Sequence, residues 1–455
     1  MKKYFKLNNK IILTCGYKKG IIHNLNNGKI FSIDEKSKLY LKEITKGKSI
    51  ESVVSKEDIF DFLLYLKVLE DKNLGSFTNE KVISGKNKEK NCIEKKIDNI
   101  WLELRKSCNL KCCHCYMDCN FNRDKDLNLL TLEEWKKVID KLSKYFPKRI
   151  TLIGGEPLLF KEIISLIEYI KNKIPNIDLI LYSNLTLLNE NIIKTIVKNN
   201  VKVVTSVYSN SEEIHDKITG HKGSFNLTTS NIKKLKKEGV YVQANVVIMN
   251  YNKDKIEEIK KYLYNLTKVK SRIDIIRDIG ESKKYLIPKE LTKKYKRVKT
   301  KPDFSLVKEE EFLKNYNGNS CWIGKLNISC DGYISPCIMG EKFINKEYNI
   351  RNNSLEELLK EYIIPEFWSI SKNKIKVCKD CEYRYICKDC RPLSVEGNDK
   401  FSKGSFCTYN HYKGEWASVF KIWKTTCHLF FKKLNIFYKI KYSIIKKVAF
   451  IALLW

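Results

Sequence analysis

Two hydrophobic rhythms divide the chain. Over residues 98–287, short apolar runs (IWLELR, RITLI, IDLILYS, VKVVTSVYS, VYVQANVVIM and RIDIIRDI) alternate with stretches whose apolar residues recur every three or four positions. The runs read as strands, and the stretches as amphipathic helices beginning near Leu132, Glu162, Asn189, Asn226 and Asp254. Repeated βα units of this length predict a parallel sheet, and six such strands are too few for a closed eight-stranded barrel. The expected fold class is α/β, either a parallel sheet or a partial, TIM-like (β/α)6 barrel.

Residues 1–77 follow another order. Three β-type runs come first, YFKL, IILTCGYKKGIIHNL and KIFSI, the last two parted by the turn signal Asn26-Asn27-Gly28. Helical patterns follow in DEKSKLYLKEI, SIESVVS and EDIFDFLLYLKVLEDK, where Ile59, Phe62, Leu63, Leu66 and Leu69 share a face. Strands then helices in so short a unit give a winged-helix-like outline. Residues 78–97 are polar and read as a linker, and 288–320 as a Lys-rich bridge. Residues 321–411 are rich in Cys and turns, and 412–455 form a basic, aromatic tail.

Composition narrows the class. Apolar residues make up 43% of the 455, which excludes global disorder. The net charge of +33 invites a nucleic-acid reading, but only nine of the 86 basic residues are Arg. Readers of phosphates and bases lean on the Arg fork, so no nucleic-acid partner is expected. A diffuse positive field still attracts acidic partners. The opening MKKYFKLNNKIILTCGYKKG lacks the apolar core and cleavage site of a signal peptide, which predicts a reducing cytoplasm. In Lys413–Trp455, nine Lys and one Glu alternate with aromatic and aliphatic residues. That pattern reads as a helix on an anionic membrane surface or, the preferred reading, as a helix packed on the protein with a solvated Lys face.

Sixteen cysteines are unevenly placed, which points to metal or iron–sulfur ligation. Directly after the first strand of the βα region, Cys108, Cys112 and Cys115 make C-x3-C-x2-C on one loop. Three thiolates there suit three corners of a [4Fe–4S] cube, leaving one iron open for a non-protein ligand. Zinc is the alternative, and it prefers four protein ligands or three with a water. One βα unit later stands Gly154-Gly155-Glu156-Pro157, where the glycines allow close backbone approach to a ligand and Glu156 offers a carboxylate to an amine. Together these motifs, over about residues 99–290, resemble the radical S-adenosylmethionine (radical SAM) superfamily.

The resemblance implies a cluster on Cys108, Cys112 and Cys115 that binds S-adenosylmethionine, with Gly154, Gly155, Glu156 and Pro157 against its methionine moiety. His114 stands where an aromatic residue is frequent, so Tyr116 is the candidate for the adenine. Asn184 beside Ser183, Ser206 and Arg277, at strand ends, are the candidates for ribose and carboxylate contacts; capping of buried strands explains them equally well. Cys113 and Cys119 fall outside the ligand spacing and read as bystanders.

A second constellation runs Cys321, Gly332, Cys337, then Cys378-x2-Cys381-x5-Cys387-x2-Cys390 and a closing Cys407. By spacing alone part of it would suit a zinc ribbon. The whole order resembles the SPASM extension of radical SAM peptide maturases, with two residues in place of three between Cys387 and Cys390. The resemblance implies one or two auxiliary [4Fe–4S] clusters. Cys378, Cys381, Cys387 and Cys407 would hold the outer one, and Cys321, Cys337 and Cys390 the inner one, with Cys330 as candidate fourth ligand.

CEYRYICKDCRP at 381–392, KGSFCTYNHYKGEW and the opening YFKL with GYKKGIIHNL are similar to the maturases of grasp-with-SPASM systems. That likeness implies a ribosomal precursor peptide with a leader as substrate, a flavodoxin- or ferredoxin-type electron donor, and an ATP-grasp ligase as system partner. The implied reaction is hydrogen abstraction and cross-link formation, a thioether among the options, with no catalytic side chain identified. Residues 1–77 would be a peptide-recognition domain, adding the leader as a strand at Ile21–Leu25 or Lys29–Ile33 with Phe62, Leu66 and Leu69 behind, or else a stabilising cap. The rival readings are a formylglycine-generating, sulfatase-maturing type of radical SAM enzyme and a zinc-bound regulatory or nucleic-acid module.

Overall fold

In the computed structural model the described residues are 3–85, 96–119, 121–276, 284–288, 306–394, 399–404 and 407–416. Arg277, most of the bridge and the tail from 417 onward lie outside them. Among the described residues no helix is long and apolar enough to cross a membrane.

The N-terminal unit comprises β1 (Tyr4–Leu7), β2 (Ile11–Cys15), β3 (Gly20–Asn24), β4 (Ile30–Ile33), α1 (Glu35–Ile44), α2 (Ile50–Val53), α3 (Ile59–Asp71) and β5 (Gly75–Thr78). The run IILTCGYKKGIIHNL is a hairpin, not one strand, because the Gly16 N–H closes a tight turn onto the Lys19 carbonyl at 2.8 Å. The sheet order is β2-β3-β4, while β1 pairs with β5. β3 is therefore paired on both sides, and of the two expected docking edges only β4 is open. Phe62, Leu66 and Leu69 of α3 belong to the unit's own core with Ile22, Ile33 and Leu41. They are not available to a peptide. The polar stretch after residue 77 also folds back: Leu7 N–H donates to Ser84 Oγ at 2.9 Å and Leu13 N–H to the Gly85 carbonyl at 3.0 Å.

The central sheet is built from β6 (Asn99–Arg105), β7 (Arg149–Gly154), β8 (Asp178–Tyr182), β9 (Lys202–Ser206), β10 (Val242–Ile248) and β11 (Ile273–Ile275), all parallel and in sequence order. Helices α4 (Leu132–Ser143), α5 (Ile163–Lys173), α6 (Glu190–Lys198), α7 (Glu212–Thr219), α8 (Ser224–Lys237) and α9 (Ile256–Thr267) connect them. The pattern did not mark α7, a short helix with two acids in its first turn and Gly220 in the left-handed region at its end. After α10 (Glu309–Asn317), the sheet gains two strands that sequence periodicity did not assign to it. β12 (Lys325–Ile328) lies parallel to β6, and β13 (Ile334–Ser335) turns back on β12. The Cys-rich region thus extends the barrel wall directly.

Strand alternation sets two faces. Ile100, Leu102, Leu104, Ile150, Leu152, Leu179, Leu181, Val203, Val242 and Ala244 face the helices in the main core. The opposite residues face the barrel lumen, and the register puts Glu103, Ile153, Tyr182, Val204 and Gln243 in one inner layer.

Candidate functional site

The Cys108–Cys115 loop leaves the C-terminal end of β6, where βα barrels concentrate chemistry. Its root is pinned by Asp124, whose carboxylate accepts the N–H of Lys106 at 2.7 Å and of Ser107 at 3.0 Å. Asp124 N–H returns to Ser107 Oγ at 3.0 Å. Cys108, Cys112 and Cys115 are near enough to perturb one another. Burial, with the neighbouring thiols adding to it, pushes Cys108 up to about 11 and Cys112 further. Cys115 goes the other way, pulled down by hydrogen bonds from the Cys119 thiol and from the backbone N–H groups of Cys119 and Met117. Cys119 is thus a partner of the loop and no bystander.

Three half-buried thiols on one loop, two of them held protonated by burial, suit a site completed by a cationic centre. Among the described residues, no three His, Cys, Asp or Glu side chains converge as a single metal ion requires. A cubane takes one thiolate per iron, so three cysteines on one loop suit three corners of a cluster.

Gly154 and Gly155 allow a close approach, but to the chain itself. A Cβ on Gly154 would stand 2.2 Å from the Arg105 carbonyl oxygen, and one on Gly155 2.2 Å from that of Ser107. Gly154 also has φ +143°, which side chains rarely adopt. Gly155 N–H donates to the Arg105 carbonyl at 2.7 Å and Glu156 N–H to that of Ser107 at 3.0 Å. Glu156 is fully buried, and its carboxylate accepts from Ser183 Oγ at 2.7 Å, Asn184 N–H at 2.8 Å and Leu158 N–H at 3.0 Å. Burial raises its pKa to about 7 against those donors. The carboxylate ties the ends of β7 and β8 together, so in this structure it does not stand free for an amine. Pro157 opens the turn Pro157–Leu159 behind it.

Asn184 reaches the cluster loop, with Nδ2 at 2.9 Å from Asn109 Oδ1 and 3.9 Å from Cys108 Sγ. Ser206, at the end of β9, hydrogen-bonds the Tyr208 phenol, which in turn hydrogen-bonds Cys112. Tyr208 is a residue that sequence reasoning missed; its signal was a phenol two positions past Ser206 in an otherwise apolar run. His114 lies edge-on to its ring at 4.7 Å and is held neutral by burial, with a pKa lowered to about 4. Tyr116 is 38% exposed as a residue, yet its phenol is desolvated enough for burial to raise its pKa.

The later cysteines gather in two sets. The thiols of Cys378, Cys381 and Cys387 act on one another electrostatically. Cys321 hydrogen-bonds Cys390 and acts on Cys337. Cys330 joins neither: it sits in the turn of the β12–β13 hairpin, whereas Cys321 and Cys337 flank its open end. Its charged neighbours are Glu103, Asp331, Asp124 and Lys106. The expectation of Cys330 as an inner ligand is corrected by the hairpin, which holds it a strand's length away. Cys407 is half-buried, just before the short strand Tyr409–Asn410. Burial works against the Lys372 ammonium, yet Asp389 and the thiols of Cys387 and Cys378 hold its pKa above the usual range. A cation is thus fixed beside the outer set.

Residues 103–263 match the Radical SAM superfamily. The antilisterial bacteriocin subtilosin biosynthesis protein AlbA of Bacillus subtilis strain 168 is 21% identical over 319 residues, 68% of this chain and 70% of that protein. A cysteine-type anaerobic sulfatase-maturating enzyme of Clostridium novyi strain NT is 26% identical over 322 residues, 63% of this chain and 85% of that enzyme. Among solved structures, Streptococcus suis SuiB shares the fold with a TM-score of 0.56 at 16% identity, over 89% of this chain and 100% of that one. SuiB has also been solved bound to precursor peptide SuiA.

Proposed function

We propose that this chain, an enzyme of the radical SAM superfamily by its domain at residues 103–263, modifies a ribosomally made precursor peptide. The observation that carries the reading is the N-terminal unit. Its β4 edge is open, and α3 exposes Phe60, Leu64 and Val68, at 69%, 53% and 47%, in an i, i+4, i+8 stripe. A strand edge left unpaired among the described residues suits β-augmentation by an extended leader peptide, and the apolar stripe on α3 of the same unit offers a further surface for its side chains. The kinship to AlbA and the fold shared with SuiB support the same reading.

Cys108, Cys112 and Cys115 would hold a [4Fe–4S] cluster, which together with S-adenosylmethionine would supply hydrogen-abstracting radical chemistry. The chain's own residues prepare the place. Asp124 and the Gly154-Gly155 latch fix the loop root, Asn184 and Tyr208 donate hydrogen bonds to Cys108 and Cys112, and His114 and Tyr116 wall the space beside them. Cys378, Cys381, Cys387 and Cys407 would hold an outer auxiliary cluster, and Cys321, Cys337 and Cys390 an inner one. The product is a cross-linked peptide, a thioether among the options, made in a reducing cytoplasm with a flavodoxin- or ferredoxin-type donor and an ATP-grasp ligase from the same system. The Clostridium novyi relative favours a second reading, oxidation of a Ser or Cys to formylglycine on a sulfatase.

The test is anaerobic incubation of the reconstituted chain with S-adenosylmethionine, dithionite and the short peptide encoded by the neighbouring gene, read by mass spectrometry. 5′-Deoxyadenosine and a peptide lighter by two hydrogens are expected, and both vanish in Cys112→Ala. No 5′-deoxyadenosine from the wild type would end the reading.

A further inference from the structure

The inner layer of the barrel is apolar at Ile153 and Val204 but carries one acid. Glu103 stands on β6, five residues before Cys108, with its side chain on the lumen face opposite to Leu102 and Leu104. It is only 6% exposed. One carboxyl contact is a hydrogen bond from Asn327 of the added strand β12. The other oxygen, Oε1, is buried with no hydrogen-bond partner among the described residues. The nearby cation is engaged elsewhere, since Lys106 pairs with Glu341 at 2.9 Å. The Tyr116 phenol, next in sequence to Cys115, has Glu103 and Tyr182 as neighbours, so this carboxyl lies beneath the cluster loop.

Buried acceptors in folded proteins are almost always paired, and an orphan in a native site is a common mark of a group that awaits a ligand.

We propose that Glu103 contacts the substrate: its free carboxyl oxygen accepts a hydrogen bond from an N–H, O–H or S–H group of the peptide residue presented beneath the Cys108–Cys115 loop. This rests on the peptide-modifying reading above. It adds a residue on β6 that neither the cysteine motifs nor the Gly154–Pro157 turn includes. Burial keeps the group ready, raising its pKa to about 7, with Glu341 and Asp331 adding to that and Lys106 opposing it.

The experiment compares wild type, Glu103→Gln and Glu103→Asp as full-length, anaerobically reconstituted chains, with the neighbouring-gene peptide as probe. Iron content and peptide-independent cleavage of S-adenosylmethionine should stay within about twofold of wild type, while KM for the peptide rises about tenfold or more in Glu103→Gln and less in Glu103→Asp. The Gln chain should also melt no lower than wild type, because an unpaired buried carboxyl has been replaced by a neutral group. An unchanged peptide KM overturns the proposal. So does a parallel fall in iron, melting temperature and peptide-independent cleavage, which marks a structural role. A wild type that ignores the peptide yet cleaves S-adenosylmethionine would instead refute the peptide reading, and the assignment of Glu103 with it.

Discussion

Replacing Gly155 by Ala adds one carbon at the tightest point of the site. That carbon would stand 2.2 Å from the Ser107 carbonyl oxygen, 2.6 Å from its carbon and 2.7 Å from the Lys106 oxygen. All three are backbone atoms, so no side chain can swing aside. A carbon–oxygen contact needs about 3.3 Å, so the loop root must retreat by roughly 1 Å. That movement breaks the two bonds that latch β7 to the loop, Gly155 N–H to Arg105 at 2.7 Å and Glu156 N–H to Ser107 at 3.0 Å. Overpacking costs about 1–3 kcal/mol and each lost bond about 1 kcal/mol, giving roughly 3–5 kcal/mol. For a domain of this size the melting temperature should fall by on the order of 10 °C. Because Cys108 is the next residue after Ser107, iron bound by the first cysteine set should fall as well. The control is Gly239→Ala, where nothing lies within 4 Å and only a left-handed backbone (φ +74°) is strained. It should cost about 1–2 kcal/mol and leave iron unchanged. Circular dichroism melts and iron determination decide. A Gly155→Ala chain that melts and binds iron like wild type would refute the latch.

Three further outcomes follow from particular contacts. A chain beginning near Asn91 should still cleave S-adenosylmethionine but retain less iron than the full chain, because the β2–β3 turn braces the Cys378–Cys387 loop; equal iron per chain by colorimetric assay would contradict this. Cys381→Ser should lower total iron and abolish modified peptide while uncoupled 5′-deoxyadenosine persists, as read by mass spectrometry. Arg351→Lys should lose about 1–2 kcal/mol in urea unfolding at pH 7, since its guanidinium spans Glu134 at 2.6 Å and the carbonyls of Asn128, Leu129 and Asp331. Arg351 first, with Thr131 helping, holds Glu134 down at about 2. The contribution of this pair is therefore complete above the ordinary carboxylate range and lost as pH falls through about 2, so the gap between variant and wild type should narrow in acid.

Much of this was legible because periodicity and spacing are local. The six parallel strands and five of the helices stand where alternation and helical periodicity put them. What escaped depends on pairing at a distance. β12 is a four-residue run with no helical partner in sequence, and only its register with Asn99–Leu102 makes it a barrel strand. Cys330 looked like a ligand because it lies between Cys321 and Cys337, yet a hairpin turns sequence neighbours into opposite ends. Gly154 and Gly155 suggest in sequence a close approach to a ligand, whereas the structure brings them against backbone 105–107, a partner visible only once β6 and β7 pair. Glu103 was passed over as one letter in a strand. Its unpaired oxygen combined with its place beneath the Cys108–Cys115 loop marks it in the structure.

The three regions are best understood as one device, because the joints fall at the cysteine loops. β12 carries Asn327 to Glu103, so the Cys-rich region supplies part of the lumen. At the other end, the turn between β2 and β3 sits on the outer cysteine loop. Tyr17 N–H donates to the Asp380 carbonyl at 2.7 Å, and Arg384 bridges the carbonyls of Cys15 at 2.8 Å and Cys381 at 2.9 Å. Gly16 leaves no space for a side chain there, since a Cβ would stand 2.5 Å from a Glu382 carboxylate oxygen. Tyr17 also packs edge-on against Tyr412 at 4.8 Å. An apolar seam of Ile12, Ile21, Leu25, Val307, Phe312, Tyr385 and Ile386 continues the joint into α10. A hinge between the N-terminal unit and the barrel would need few contacts and exposed polar surfaces. This joint is buried and apolar and includes backbone hydrogen bonds. In the proposed reading, a peptide held at β4 would thereby be kept in fixed relation to the Cys378–Cys387 loop, and residues far along it would reach the lumen without the two units rearranging.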